Sequence, residues 1–198
     1  AVNQKCLGWL SNVCAQLKPT TDLLELYCGA ANHTCCLAAY FPRVVAVELN
    51  KSLCEAAEVN LSLNGVMNVY VMATHSETFA RTIMQRKCSF EDRRQQPYVT
   101  YQFGTVLVDP PRSGLDADTR KLLRGFEQII YISCCPASLV RDLNLMCYEE
   151  ETETEAEAAT AARGAERRAC FAVRRFAVFD HFAFSQEHLE SAVLLVRI

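Results

Sequence analysis

An α/β fold is predicted for this 198-residue chain: a mostly parallel sheet with helices on both faces and an antiparallel hairpin at its C-terminal edge. Three observations predict it. Short apolar runs alternate with amphipathic stretches over most of the length. Those runs are apolar throughout rather than at every second residue, which suits strands covered on both faces. The last two runs follow each other without a helix of comparable length between them. The length suits one domain with a full core, so residues 1–198 read as a single domain.

In chain order, Ala1 opens a polar, helical segment without an initiator Met, as expected of a piece of a longer protein. Five strands are predicted at LLELY (23–27), RVVAVEL (43–49), NVYVM (68–72), GTVLVD (104–109) and QIIYIS (128–133). Helical stretches fall near 32–40, 51–63, 75–86, 116–125 and 137–147. CFAVRRFAVFD (170–180) and ESAVLLVRI (190–198) read as the edge hairpin. Five parallel strands plus such a hairpin is the outline of a Rossmann-like methyltransferase, whereas dinucleotide dehydrogenases usually end in another parallel unit. Two segments break the pattern. KCSFEDRRQQPYVTYQ (87–102) is polar and reads as a surface loop, and residues 148–169 form a low-complexity insertion rich in Glu, Ala and Arg, read as solvated.

Composition narrows the function classes. No apolar run reaches the roughly 20 residues of a membrane span, and no charged start followed by an apolar block marks a secretory leader. The 11 cysteines include no C-x-x-C, which argues against zinc and iron–sulfur sites, and their odd number fits free thiols in a reducing, intracellular compartment. The net charge of −3 lacks the basic excess of a nucleic-acid-binding module, so RNA binding by this piece alone is disfavoured while chemistry on RNA is not.

The first strand runs into YCGAANHT (27–34), a small-residue turn that lets a cofactor approach the backbone and the next helix. One glycine, Gly29, is a weak signal by itself. It gains weight from Glu48, 19 residues on at a strand end, where an acidic residue accepts bonds from ribose hydroxyls; the alternative is a surface Glu opening a helix. VDPPRSG (108–114) sets Asp109 at the carboxyl edge of the fourth strand, stiffened by two prolines. A metal-binding role for Asp109 lacks neighbouring carboxylates or histidines in the sequence. The fifth strand ends at YIS and continues CCP, placing Cys134 on the same rim. By position alone Cys134 is equally a nucleophile or a buried structural thiol.

DLLELYCGAAN (22–32), VDPPRSGLD (108–116), YISCCP (131–136) and HLES (188–191) occur in an order that resembles the RNA uracil-5 methyltransferases of the TrmA/RlmD kind, over nearly the whole chain. The resemblance implies the catalytic domain of that family, with S-adenosyl-L-methionine as cofactor and no metal. It implies that a Cys134 thiolate adds to carbon 6 of a uracil, that carbon 5 then accepts a methyl group, and that Glu190 removes the carbon-5 proton before the thiol is eliminated. Tyr27, Asn32, Glu48 and Asp109 match cofactor-contact positions, with Gly29 in the turn. The implied partner is RNA, tRNA favoured over rRNA, with the target base turned out of its stack. A monomer in the cytoplasm is expected, with nucleus or organelle open.

Four departures from the family pattern accompany the match. Cys135 stands where the motif usually carries Asn, GAAN replaces a turn with a second Gly, and the stretch after Asp180 lacks a Pro and is one residue longer. The family's upstream Gln and N-terminal RNA-binding domain are not in this chain. Two other readings stay open beside the RNA methyltransferase: a catalytically weakened scaffold that keeps the fold, and a methyltransferase of another substrate.

Overall fold

Every residue of strand β1 (Asp22–Leu26) is buried, because the sheet continues on both sides of it and helices cover both its faces. The computed structural model describes residues 2–86, 89–92, 96–147, 169–180 and 189–198. Its main sheet also contains β2 (Val44–Glu48), β3 (Val69–Ala73), β6 (Phe103–Val108), β7 (Gln128–Ser133), β8 (Phe171–Asp180) and β9 (Leu189–Arg197), in the spatial order β3-β2-β1-β6-β7-β9-β8. The first five run parallel, whereas β9 is antiparallel to β7 and β8 is antiparallel to β9. The predicted strands and hairpin are all found, with ends shifted by a residue or so.

The helices are α1 (Val2–Leu17), α2 (Asn32–Leu37, continued by a 3-10 turn at Ala38–Tyr40), α3 (Lys51–Leu63), α4 (Ser76–Arg86), α5 (Ala117–Leu123) and α6 (Pro136–Met146). On one face of the sheet, Cys6, Leu10 and Val13 of α1, Leu37 of α2 and Ala57 of α3 pack on Leu23, Val44 and Ile130. On the other, Phe79 and Ile83 of α4, Leu123 of α5 and Leu139 of α6 pack on Leu24, Val106 and Ile129. The buried set of α1 recurs at helical spacing, so an otherwise polar segment folds as a helix once it has a sheet to lie on.

One expectation is corrected. Residues 87–102 are not simply a loop: Ser89–Asp92 (β4) pairs antiparallel with Gln96–Thr100 (β5) as a separate two-stranded ribbon. A ribbon of four or five residues satisfies its backbone groups across the turn without a long apolar run, so composition hides it. The insertion at 148–168 and the stretch 181–188 lie outside the described residues.

β1 leads outward through β2 and β3, while β6 and β7 lie on its other side, so strand order reverses between β1 and β6. Open α/β sheets bind ligands outside the carboxyl ends of their strands at that reversal. The turn after β1 and the Asp-Pro-Pro exit of β6 flank it.

Candidate active site

The turn between β1 and α2 is tightly wound. Tyr27, Gly29 and Ala31 all take left-handed backbone, with φ of 62°, 55° and 63°. For Tyr27 and Ala31 this conformation is costly, and it persists because the surroundings determine it. The Gly29 N–H donates to Glu48 Oε2 at 3.1 Å, and the Asn50 N–H donates to Glu48 Oε1 at 2.7 Å. Each carboxylate oxygen is thereby aimed by one backbone donor while keeping a second lone pair. A Cβ built on Gly29 would meet nothing within 4 Å, so the space over the turn is open.

At the end of β7 the chain turns sharply. Ser133, buried, accepts the Cys135 N–H at 3.1 Å and donates to the Cys135 carbonyl at 3.0 Å; the Ser138 hydroxyl donates to that same carbonyl at 2.9 Å. Pro136 then opens α6, where its missing N–H costs nothing. The clamp presents Cys134 and Cys135, both half-buried, on the rim.

The β7–β9 ladder pairs Gln128 with Val196 and ends at Ser133 with Ser191, so Cys134 and Glu190 are the residues just beyond its last paired rung. The charges of Asp109 and Glu190 both bear on the Cys134 thiol, and Glu190 also bears on Asp109, so the three groups share one neighbourhood.

Burial dominates its electrostatics. Asp109 is pushed up to about 7 by burial and then by Glu190. Cys134 is raised by burial and by Asp109, against Arg112, so it rests as a thiol. Cys135 goes the other way, because the Ser138 amide and hydroxyl in the first turn of α6 favour its thiolate. Of the adjacent pair, the thiol expected to act is the less acidic in the free protein.

Tyr27 and Asn32 stand apart from this group. The Tyr27 hydroxyl reaches Thr119 and Ser76, and its ring lines a cleft of about 640 Å³ with Pro111, Gly114 and Arg141. Asn32 is exposed and exchanges side-chain hydrogen bonds of 3.4 and 3.2 Å with Asn3 of α1.

Three further residues, none singled out from the sequence, lie around the site. His33 Nδ1 lies 4.0 Å from Asp109 Oδ2, and burial lowers its pKa to about 4, leaving a neutral imidazole. Asp142, fully buried, accepts the Leu115 N–H at 2.8 Å and the Tyr131 hydroxyl at 2.7 Å, tying the Asp-Pro-Pro loop to α6. Glu25, in the middle of β1, is fully buried and accepts the Thr34 hydroxyl at 2.7 Å. An acid inside an apolar strand was a readable signal for Glu25; no comparable signal marked His33. Among the described residues no cluster of three His, Cys, Asp or Glu side chains is suited to a metal ion.

A family model described as tRNA (Uracil-5-)-methyltransferase matches residues 1–160. The chain belongs to that family. Among curated relatives, a tRNA/tmRNA (uracil-C(5))-methyltransferase of a Nitratiruptor species is 40% identical over 196 residues, covering 99% of this chain and 48% of the relative. One of the same name from Shewanella halifaxensis is 38% identical, covering 98% of this chain and 46% of the relative. The chain thus spans about half the length of the curated relatives it matches. Among solved structures, the Pyrococcus abyssi tRNA (uracil-54, C5)-methyltransferase in complex with S-adenosyl-L-homocysteine superposes with a TM-score of 0.64 at 20% identity, over 96% of this chain and 37% of that one. M. capricolum TrmK, in complex with S-adenosyl-homocysteine, gives 0.56 at 11% identity over 95% and 67%. These two likenesses show the Rossmann-like methyltransferase fold.

Proposed function

We propose that this chain is the catalytic portion of an S-adenosylmethionine-dependent RNA uridine carbon-5 methyltransferase, with tRNA as the favoured substrate in an intracellular setting. The observation that carries the reading is the cluster at the rim, where the charges of Asp109 and Glu190 both bear on the Cys134 thiol just beyond the last β7–β9 rung. Family membership and the names of the relatives support the substrate class.

The turn fits an adenosyl cofactor. The space over Gly29 admits a ligand against the backbone, and Glu48 offers two pre-aimed oxygens to ribose hydroxyls. Asp109 would meet the positively charged end. When bound, S-adenosylmethionine supplies the electrophilic methyl group. The remaining work belongs to the protein. Cys134 Sγ adds to carbon 6 of the extruded uracil, its proton leaving to a neighbouring carboxylate as the carbon–sulfur bond forms. That addition raises electron density at carbon 5, which then becomes methylated. Glu190 removes the carbon-5 proton, and the electron pair expels Cys134 Sγ, restoring the ring double bond. No metal is required by this balance.

Fluorine at carbon 5 blocks the proton-removal step after methylation, so with S-adenosylmethionine present a 5-fluorouridine tRNA transcript should hold wild-type protein as an adduct stable in denaturing gels. Cys134→Ser should give none, and Cys135→Ser should keep it. Wild-type protein that binds S-adenosylhomocysteine yet forms no adduct, or one mapped by mass spectrometry to Cys135, would reject the mechanism.

A further inference from the structure

Two thiols that the proposed chemistry does not use stand at the two ends of the 148–169 insertion. α6 starts at the rim, and at about 1.5 Å per residue its 11 residues carry the chain roughly 16 Å away from it. There Cys147 closes the helix, its N–H donating to the Leu143 carbonyl at 2.8 Å. Cys170 leads into β8. Its N–H donates to the Cys147 carbonyl at 2.6 Å, and its own carbonyl accepts the Ile198 N–H at 3.1 Å, just beyond β9. Each cysteine is therefore held by the element on its own side, independently of the residues between them. A direct N–H···O bond between two residues holds their Cα atoms about 5–6 Å apart, inside the roughly 4.4–6.8 Å at which disulfides form. The side chains converge as well. Both join the apolar cluster beneath α6, Cys147 buried in it and Cys170 half-buried against it. The Cys170 thiol bears electrostatically on that of Cys147, and Arg124 opposes it.

We propose that Cys147 and Cys170 form a thiol–disulfide modification site, which reacts with low-molecular-weight disulfides and closes as a reversible staple at the root of the insertion. The closed loop holds about 20 residues, a constraint that lowers the entropy of the unfolded chain. The staple ties the end of α6 to the start of β8, whereas Cys134 and Glu190 lie at the opposite rim. It therefore protects the fold and leaves the chemistry at the rim alone.

Half-buried Cys170 is the thiol that such a reagent reaches first. Its thiolate attacks one sulfur of the reagent, forming a mixed disulfide and expelling one small thiolate. Cys147 gives its proton to solvent, attacks the Cys170 sulfur and expels the second. One reagent disulfide is thereby reduced to two thiols, and two protein thiols are oxidised to one disulfide. Burial, and then Cys170, push the Cys147 thiol up to about 11, so it rests protonated and its attack is the slow step. An excess of small thiol runs the same exchange backwards.

The test treats the reduced chain with glutathione disulfide, blocks remaining thiols, and maps tryptic peptides by mass spectrometry without reductant. Cleavage after Arg163 and Arg168 separates Asp142–Arg163 from Ala169–Arg174, each with a single cysteine, so a disulfide alone can join them. The joined pair should be the main product at these two cysteines, and dithiothreitol should split it. Oxidation should raise the urea midpoint by about 1 M. Cys170→Ser should leave the reduced midpoint nearly unchanged and lose both the joined pair and the rise. Glutathione adducts at Cys147 or Cys170 without the joined pair, a bond from either to another cysteine, or an equal rise in Cys170→Ser overturns the proposal. Should Cys170→Ser fail to fold, the wild-type peptide map decides alone.

Discussion

Replacing Asp142 should loosen the Asp-Pro-Pro loop and the whole fold together, and the structure divides the cost. Oδ2 accepts the Leu115 N–H and the Tyr131 hydroxyl, both from buried residues. Oδ1 accepts the Arg141 Nε and Nη2 groups at 3.0 and 2.7 Å and faces Arg120 at 3.7 Å. Arg141 is 49% exposed and can turn to water; Tyr131, at 0%, cannot. In Asp142→Ala the Oδ2 side is lost, leaving two buried donors unpaired, each worth about 1.5–3 kcal/mol against a charged acceptor. Removal of the carboxylate's own desolvation offsets part of this, giving a net loss of about 3–5 kcal/mol. Asp142→Asn keeps an acceptor for Leu115 and Tyr131 but turns an amide donor toward the guanidinium groups, so its loss should be only about 1–2 kcal/mol. Urea unfolding followed by circular dichroism measures both. With a slope of about 2–3 kcal/mol per molar, the Ala variant should lower the midpoint by about 1–2 M. An Ala variant within about 1 kcal/mol of wild type, or an Asn variant as damaged as Ala, would refute the reasoning.

Two further outcomes are expected. Asp109 and Glu25 keep protons in the folded state up to about 7 and about 8 that the unfolded chain releases near its ordinary carboxylate range, so the folded state binds more protons and stability falls as pH rises through that window. His33, held near 4 against an ordinary 6.5, acts in the opposite sense below 6.5 only, so urea midpoints between pH 6.5 and 7.5 leave it out and precede most cysteine ionisation in the unfolded chain; they should decline in wild type and decline less in Asp109→Asn, and a flat wild-type profile would count against the buried carboxyl groups. Gly114 has φ of +79°, and a Cβ there would collide with Arg141 Nη2 and Asp142 Oδ2. Gly114→Ala should therefore cost more than the roughly 1–2 kcal/mol of left-handed backbone alone, and Arg141→Ala in the same chain should recover only the part of the excess owed to the guanidinium, the clash with the buried Asp142 remaining, in a double-mutant cycle of unfolding midpoints.

The sheet was legible in the sequence because its strands are apolar on both faces; the predicted 128–133 and the observed β7 coincide. The β4–β5 ribbon was not, since so short a pair leaves little apolar pattern to read. Cys134, Glu190 and Asp109 were legible as motif positions, and the structure brings them to one rim. The motifs also nominated Tyr27 and Asn32, whose side chains here reach Thr119 and Asn3. Asp142 was illegible for a different reason. Its bonds to Leu115 and Tyr131 exist only once α6 has packed beside the loop, a long-range consequence of topology.

The β7–β9 pairing has a consequence for how such a chain tolerates change. Glu190 is placed by counting upward along hydrogen-bonded rungs from Arg197, not by counting forward from Asp180. The number of residues joining β8 to β9 therefore does not fix where the carboxyl stands. A single insertion within β9 would do the reverse: the side chains on one side of it would change faces relative to those on the other, and the acid just beyond the last β7–β9 rung would be exchanged for its neighbour.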